Sequence, residues 1–222
     1  MSDYPILLNL EDRLCVVVGG GAVGMRKVRG LIGAGARVRL VAPDQSEGHP
    51  IEEGVELIRR PFRSGDLEGA ALAFAATDDR QTNAAVAAEA RRKGIPVNVA
   101  DVPAEGNFTL PALLRRGDLT VAVSTAGRSP ALAALLRDTL AGSVGPEWAT
   151  MLEIAAALRR KRLTGKDADD YNLVILRRLM DGNLPELVTR QDAAGVNRLL
   201  TSLFGEGVSL AELGIHFSKE MT

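Results

Sequence analysis

The stretch Leu14-Cys15-Val16-Val17-Val18-Gly19-Gly20-Gly21-Ala22-Val23-Gly24 decides the fold. An apolar strand runs straight into a turn of the form G-x-G-x-x-G through Gly19, Gly21 and Gly24. The first glycine permits the tight turn, the second lets a pyrophosphate approach the backbone, and the third lets the next helix pack closely on the strand. Val28, Leu31 and Ile32 follow at helical spacing. A helix there aims unpaired N–H groups and the positive end of its dipole at the turn. Strand, turn and helix in this order predict a dinucleotide site built from Gly19, Gly21, Ala22, Val23 and Gly24.

Outward from this turn, the first half of the chain alternates strand and helix. Strands are expected at Cys15 to Val18, Arg37 to Ala42, Val55 to Arg59, Ala71 to Ala75 and Pro96 to Val99. Helices are expected at Met25 to Ala34, stopped by Gly35, and at Asn83 to Lys93, ended by Gly94. The nearly continuous apolar character of Ala71 to Ala75 suits a strand covered on both faces. Such an order predicts an α/β fold with a Rossmann-type, doubly wound parallel sheet and right-handed crossovers. Ligands in these folds sit at the carboxyl ends of the strands. Besides the glycine turn, the candidate cofactor residues are therefore Pro43, Asp44, Ala76, Thr77 and Asp78, and Asp101 follows the fifth strand. Asp78 and Asp79 read equally well as caps of the helix that starts near Thr82 or Asn83. Asp44 lies just past the second strand, where a loop aspartate is the simpler reading.

The rhythm changes near Gly106. Strands are expected at Asn107 to Leu110, closed by Pro111, and at Leu119 to Ser124, after the turn Arg116-Gly117-Asp118. Ser129 suits a helix N-cap and Pro130 the first position of a helix over Ala131 to Leu140. This piece is too small for a core of its own. From Gly145 the chain reads as helix, with an apolar stripe of Trp148, Leu152, Ala155 and Leu158 and further helices at Tyr171 to Met180 and Asp192 to Phe204. The run Arg159 to Arg162 reads as a solvated partner of a helix C-terminus, and the last residues as frayed. Three parts follow: 1–112, a nucleotide-binding domain; 113–145, a linking segment; 146–222, a helical domain.

With 46% hydrophobic and 25% charged residues and a net charge of −1, the chain reads as a globular protein with no field to attract nucleic acid. Neither a membrane span nor a signal peptide is expected, so a cytoplasmic location is. Cys15, the single cysteine, excludes an internal disulfide. It and the widely separated His49 and His216 do not make a structural zinc site, and no metal ligands are assigned.

The residues now on the page resemble precorrin-2 dehydrogenase, the module that also forms the N-terminal part of the siroheme synthases. The matching pieces are Val16 to Gly21 with Arg26 and Lys27, Val41-Ala42-Pro43, Ala75 to Asp79 with Asn83, Asn98 to Asp101, and Val121 to Gly127 with Ser129-Pro130. The resemblance implies NAD-dependent oxidation of precorrin-2 to sirohydrochlorin, in some members with ferrochelatase activity that yields siroheme. It also implies a homodimer, with 113–145 as a dimerisation segment, and no methyltransferase half within these 222 residues. NAD is favoured over NADP, because Arg37 and Arg39 are poorly placed for a 2′-phosphate.

The family's catalytic aspartate falls on Asp101, where a carboxylate can serve as general base. From the residues alone, a turn or cap aspartate is the other reading. Ser124, Thr125, Gly127, Arg128 and Ser129 fall on the family's substrate-facing loop. That loop carries a serine, phosphorylated in some members, where this chain has Thr125. The tetrapyrrole substrate is a polycarboxylate, so Arg115, Arg116, Arg128 and Arg137 are candidates for its acid groups. A non-catalytic sensor of NAD(H) or a tetrapyrrole is the alternative function. A DNA-binding redox repressor is disfavoured by the lack of a basic recognition helix.

Overall fold

The computed structural model describes residues 3–45, 54–162 and 168–217, without the side chains of 45, 162 and 168–172. His49 and the final residues lie outside that set. The chain divides into two compact units, Met1–Leu110 and Pro111–Thr222.

The first unit contains β1 (Leu14–Gly20), α1 (Ala22–Ile32), β2 (Arg37–Gln45), β3 (Val55–Ile58), β4 (Leu72–Ala75), α2 (Arg80–Lys93) and β5 (Val97–Val99). Its strands form one sheet in the order β3-β2-β1-β4-β5, every pair parallel. This is the doubly wound arrangement expected from the alternation of elements. The strand order turns back between β1 and β4, which is where such sheets open a crevice.

Side-chain alternation divides the core between the two faces of the sheet. Cys15, Val17, Leu40 and Phe74 pack with Met25, Val28 and Leu31 of α1. Val16, Val18, Ala73, Ala75, Val97 and Val99 pack with Val86, Ala87 and Ala90 of α2. The Cys15 thiol is fully buried, and desolvation pushes its pKa up to about 11, so it is a packing residue and an unreactive thiol.

Several boundaries differ from the sequence reading. Helix α1 starts at Ala22, directly off Gly21, because the turn itself sets the first helical N–H groups. Strand β2 continues to Gln45, so Pro43 and Asp44 end a strand and are not loop residues. Helix α2 starts at Arg80 because Asp79 caps it, accepting from the N–H groups of Gln81 and Thr82.

Asn107 to Leu110 is not a strand. The segment runs beside β5, but side-chain amides replace part of the ladder. Val97 N–H donates to Asn107 Oδ1 (2.8 Å), and Asn98 Nδ2 donates to the Phe108 carbonyl (3.1 Å). Phe108 meets Phe74 edge-on at 5.5 Å.

In the second unit, β6 (Ala112–Arg116) and β7 (Leu119–Val123) form an antiparallel hairpin about Gly117, whose φ is +55°. The sequence reading missed β6 because Pro111 suggested an end where the strand starts. Arg116 ties the hairpin down by donating from Nε to the Val144 carbonyl (2.9 Å). Helix α3 (Pro130–Ser143) packs on both strands, with Ser129 as N-cap.

The helices that follow are α4 (Glu147–Arg162), α5 (Ala168–Asp181), α6 (Leu184–Thr189), α7 (Ala193–Phe204) and α8 (Leu210–Leu213). The sequence reading treated α6 as a separator and did not recognise α8; both are short. The buried stripe of α4 is Met151, Ile154, Ala157 and Leu158, whereas Leu152 is exposed. The expected stripe was rotated because Ala155 was counted as core in place of Ile154. Leu179, Val188, Val196 and Leu200 complete this core.

Candidate functional site

The glycine turn fits a dinucleotide on stereochemical grounds. Gly19 adopts φ +115°, and a Cβ there would lie 2.2 Å from the Ala76 carbonyl oxygen. The ends of β1 and β4 thus touch backbone to backbone, and only glycine permits it. A Cβ on Gly24 would meet the Gly19 carbonyl oxygen at 1.9 Å, which is why α1 can sit so low on the strand. Gly21 differs: a Cβ there would meet nothing within 4 Å. Its missing side chain leaves open space beside the uncapped start of α1, where no acidic residue competes for the helix N-terminus. Unpaired N–H groups, a positive dipole end and open room together make an anion seat.

Arg26 and Lys27 follow in α1. The Lys27 ammonium lies over the Phe74 ring, 5.9 Å from its centroid. Burial, assisted by Arg26, lowers the Lys27 pKa from its ordinary value.

Across the switch point, the loops after β4 and β5 are joined by one buried amide. Asn83, fully buried on α2, accepts from the Thr77 N–H (3.1 Å) at Oδ1, which also lies 2.8 Å from the Thr77 hydroxyl, whose single proton it shares with the Asp79 carbonyl at 3.0 Å. Its Nδ2 donates to the Thr77 carbonyl (2.9 Å) and to Asp101 Oδ1 (2.9 Å). Donors face the oxygen and acceptors face the nitrogen, so the partners fix which way the amide points. The other Asp101 oxygen lies 3.8 Å from Arg80 Nε, beyond hydrogen-bond range, and Arg80 also pairs with Glu105. Asp101 is 35% exposed, accessible to a ligand yet fixed at one oxygen.

The sequence-derived residues divide accordingly. Gly19, Gly21, Gly24, Ala76, Thr77 and Asp101 gather at the carboxyl ends of β1, β4 and β5. Pro43 and Asp44 are exposed at the end of β2. Asp79 is a helix cap: the Thr82 hydroxyl first, then the Gln81 N–H, hold its carboxyl below the usual carboxylate range. Asp78 is exposed.

In the second unit, Thr125 and Ser129 close their loop on each other. The Thr125 hydroxyl donates to the Ser129 carbonyl (3.0 Å) and accepts from the Ser129 N–H (3.1 Å). Ser129 Oγ caps α3 through the Leu132 N–H (3.2 Å), worth about 1 kcal/mol. Ala126 and Gly127 both adopt positive φ, so the loop turns sharply. Arg128 and Arg115 are exposed and make no ion pair among the described residues. Arg116 is committed to Val144 and Arg137 to Asp138.

Asn83 had no assigned role at the sequence level. The signal was present: Asn83 stands in register with Val86, Ala87 and Ala90 on the buried side of α2, where Glu89 is the other buried polar residue. Its partners come from two distant loops and were not legible.

Among the described residues, no cluster of three His, Cys, Asp or Glu side chains forms a metal site, and no helix is long and apolar enough to cross a membrane.

Fold and turn thus define a nucleotide-binding α/β protein, and residues 6–112 match a family model described as putative NAD(P)-binding. Residues 116–143 match a second, described as the central segment of sirohaem biosynthesis proteins. The siroheme synthase of Pseudomonas paraeruginosa is 37% identical over 212 residues, covering 94% of this chain and 46% of the relative. That of Methylococcus capsulatus is 39% identical over 204 residues, covering 90% and 43%. The chain is thus similar to siroheme synthases over nearly all of its own length, and it spans about half the length of the curated relatives it matches. A solved structure of the precorrin-2 dehydrogenase SirC superposes with a TM-score of 0.65 at 23% identity, covering 89% of this chain and 98% of that one, a likeness of fold.

Proposed function

We propose that the protein oxidises precorrin-2 to sirohydrochlorin with NAD. The observation that carries this reading is the setting of Asp101: an accessible carboxylate at the end of β5, with one oxygen anchored, beside the loop that follows β4. Dinucleotides in doubly wound sheets lie across this switch point. Gly19, Gly21, Ala22, Val23 and Gly24 would hold the pyrophosphate of NAD. Thr77, Ala76 and Asp78 would border the cofactor, and Asp44 at the end of β2 would accept from a ribose hydroxyl. NAD bound there supplies a two-electron acceptor for hydride.

Precorrin-2 loses one hydride and one proton in this oxidation. Asp101 takes the proton at Oδ2, the oxygen that Asn83 leaves unbound, and acts as general base. Substrate acid groups would be held by Arg128 and Arg115, the two candidate arginines whose guanidinium groups have no partner among the described residues, together with the hydroxyl protons of Ser124 and Ser129.

A homodimer accompanies this reading. Leu132, Leu135 and Leu136 are 56%, 63% and 46% exposed on one side of α3, more contiguous apolar side chain than a lone surface helix commonly shows. A second copy covering that face, with 113–145 as the dimerisation segment, accounts for it. A cytoplasmic location fits the buried, unpaired Cys15.

Anaerobic incubation with precorrin-2 and NAD, followed by absorbance, tests the proposal. Sirohydrochlorin is the expected product. Ferrous or cobaltous ion, added afterwards as substrate, separately reads whether the protein speeds metal insertion. NAD binding without turnover would replace the enzyme with a sensor of the dinucleotide.

A further inference from the structure

We propose that Asn83 is a positioning residue for the oxidation: it fixes which oxygen of Asp101 is free to take the proton and couples that carboxylate to the loop beside the cofactor. The inference rests on the role of Asp101 proposed above. It starts from one buried amide whose donors are both used. Asn83 is 0% exposed; its two side-chain N–H groups donate to the Thr77 carbonyl and to Asp101, and its oxygen accepts the Thr77 N–H.

The paired bonds to the Thr77 N–H and carbonyl leave the amide no freedom to rotate, so its remaining N–H has a fixed direction. That direction is occupied by Asp101 Oδ1 at 2.9 Å. Asp101 belongs to a loop after a three-residue strand and is followed by the 3₁₀ turn at Pro103–Glu105. Such a short strand gives little backbone restraint of its own. Without Asn83, the carboxylate is held on the protein side only by Arg80 at 3.8 Å, itself 47% exposed and shared with Glu105. A long, solvated ion pair fixes charge but not orientation. The neutral, buried amide fixes orientation. A base displaced by an ångström loses much of its effect on a proton that must leave as the hydride leaves, on the order of 100-fold.

The same geometry separates the two duties of Asn83. Asn83→Asp preserves the acceptor that meets the Thr77 N–H, and replaces the donor that meets both Asp101 and the Thr77 carbonyl. It should therefore keep one of the ties to the β4 loop while repelling Asp101 from its tethered position. Asn83→Ser, smaller and uncharged, cannot span to Asp101 and guards against the case in which a buried carboxylate prevents folding.

The experiment compares wild type, both Asn83 variants and Asp101→Asn in anaerobic precorrin-2 oxidation, with NADH binding followed by fluorescence and folding by thermal melt. The expected result is a fall in kcat of about 10- to 100-fold for folded Asn83 variants, with NADH affinity for Asn83→Asp within about twofold of wild type. Wild-type kcat in folded variants would overturn the inference. So would a loss of kcat that only tracks the fraction of folded protein. If neither variant folds, the wild-type protein still decides. The Asn83 side-chain N–H signals in a nitrogen-15 spectrum should be slow to exchange and should move in Asp101→Ala; signals that do not move would sink the tether. Failure of the underlying reading looks different: wild type would not turn over, or Asp101→Asn would be as active as wild type.

Discussion

The two units of this molecule handle their apolar residues in opposite ways. In the first, the two faces of the sheet are covered by α1 and α2, and large apolar side chains are exposed mainly along residues 4–8 before the fold begins. In the second, α4, α6 and α7 close a core, yet Leu113, Leu132, Leu135, Leu136, Leu173, Val174 and Met180 remain exposed. A parallel sheet flanked by helices is complete by itself. A hairpin packed chiefly on α3 leaves the outer apolar side chains of that helix exposed. The contrast teaches that the two units differ in what they leave unfinished: the first carries the glycine turn and Asp101 on a covered sheet, the second an exposed apolar face on α3.

Asp101→Asn should have the largest effect, with precorrin-2 oxidation falling by about 100-fold or more while NADH binding and oligomeric state stay as in wild type. Steady-state assay and sedimentation check both halves. A change of oligomeric state in this variant would tie Asp101 to self-association as well as to catalysis.

Gly24→Ala comes next. Its Cβ would press on the Gly19 carbonyl oxygen at 1.9 Å, so α1 must lift from β1, at a cost of about 3 kcal/mol. Denaturant melts should show the loss. An unchanged midpoint would mean that α1 packs less closely than described.

Asp66→Asn should destabilise the first unit by about 2 kcal/mol. The Asp66 carboxylate is buried, takes Arg60 in a two-pronged pair (2.7 and 2.8 Å) and accepts the Arg63 N–H at 2.7 Å. The Arg60 side chain retains 29% exposure, which keeps the value below that of a fully buried pair. Arg60 holds the Asp66 carboxyl below the usual carboxylate range. Because the folded pKa is the lower one, the stabilisation is complete above the ordinary carboxylate pKa. It is lost as pH falls through the folded value. The difference between wild type and variant in urea melts should shrink in acid.

Leu132→Glu with Leu135→Glu should convert the proposed dimer to a monomer and leave NADH binding intact, as read by light scattering and fluorescence. A variant that stays dimeric would assign the self-contact to another face.

Gly21→Ala should have the smallest effect on the fold, since its Cβ meets nothing within 4 Å, and should weaken NADH binding about tenfold by filling the anion seat. Together with Gly24→Ala it separates a glycine kept for the ligand from one kept for packing.

Much of the first unit was legible because its signals are local. Val16 to Val18 and Leu72 to Ala75 are apolar on both faces, glycines punctuate the turns, and the alternation of elements allows few topologies. The second unit was less legible. Its hairpin starts beside Pro111, and two of its helices are shorter than two turns. The α4 stripe depended on partners far along the chain.

The sequence by itself determined the parallel sheet, the glycine turn and the position of Asp101 at a strand end, because strand and helix periods and glycine stereochemistry act over a few residues. Only the tertiary structure decided what those residues touch. It made Asp79 a cap, committed Thr125 and Arg116 to holding their own loops, and turned Asn83 into the link between Thr77 and Asp101. A hydrogen bond between residues eighteen positions apart has no period to announce it; it exists only once α2 has been laid against β4 and β5.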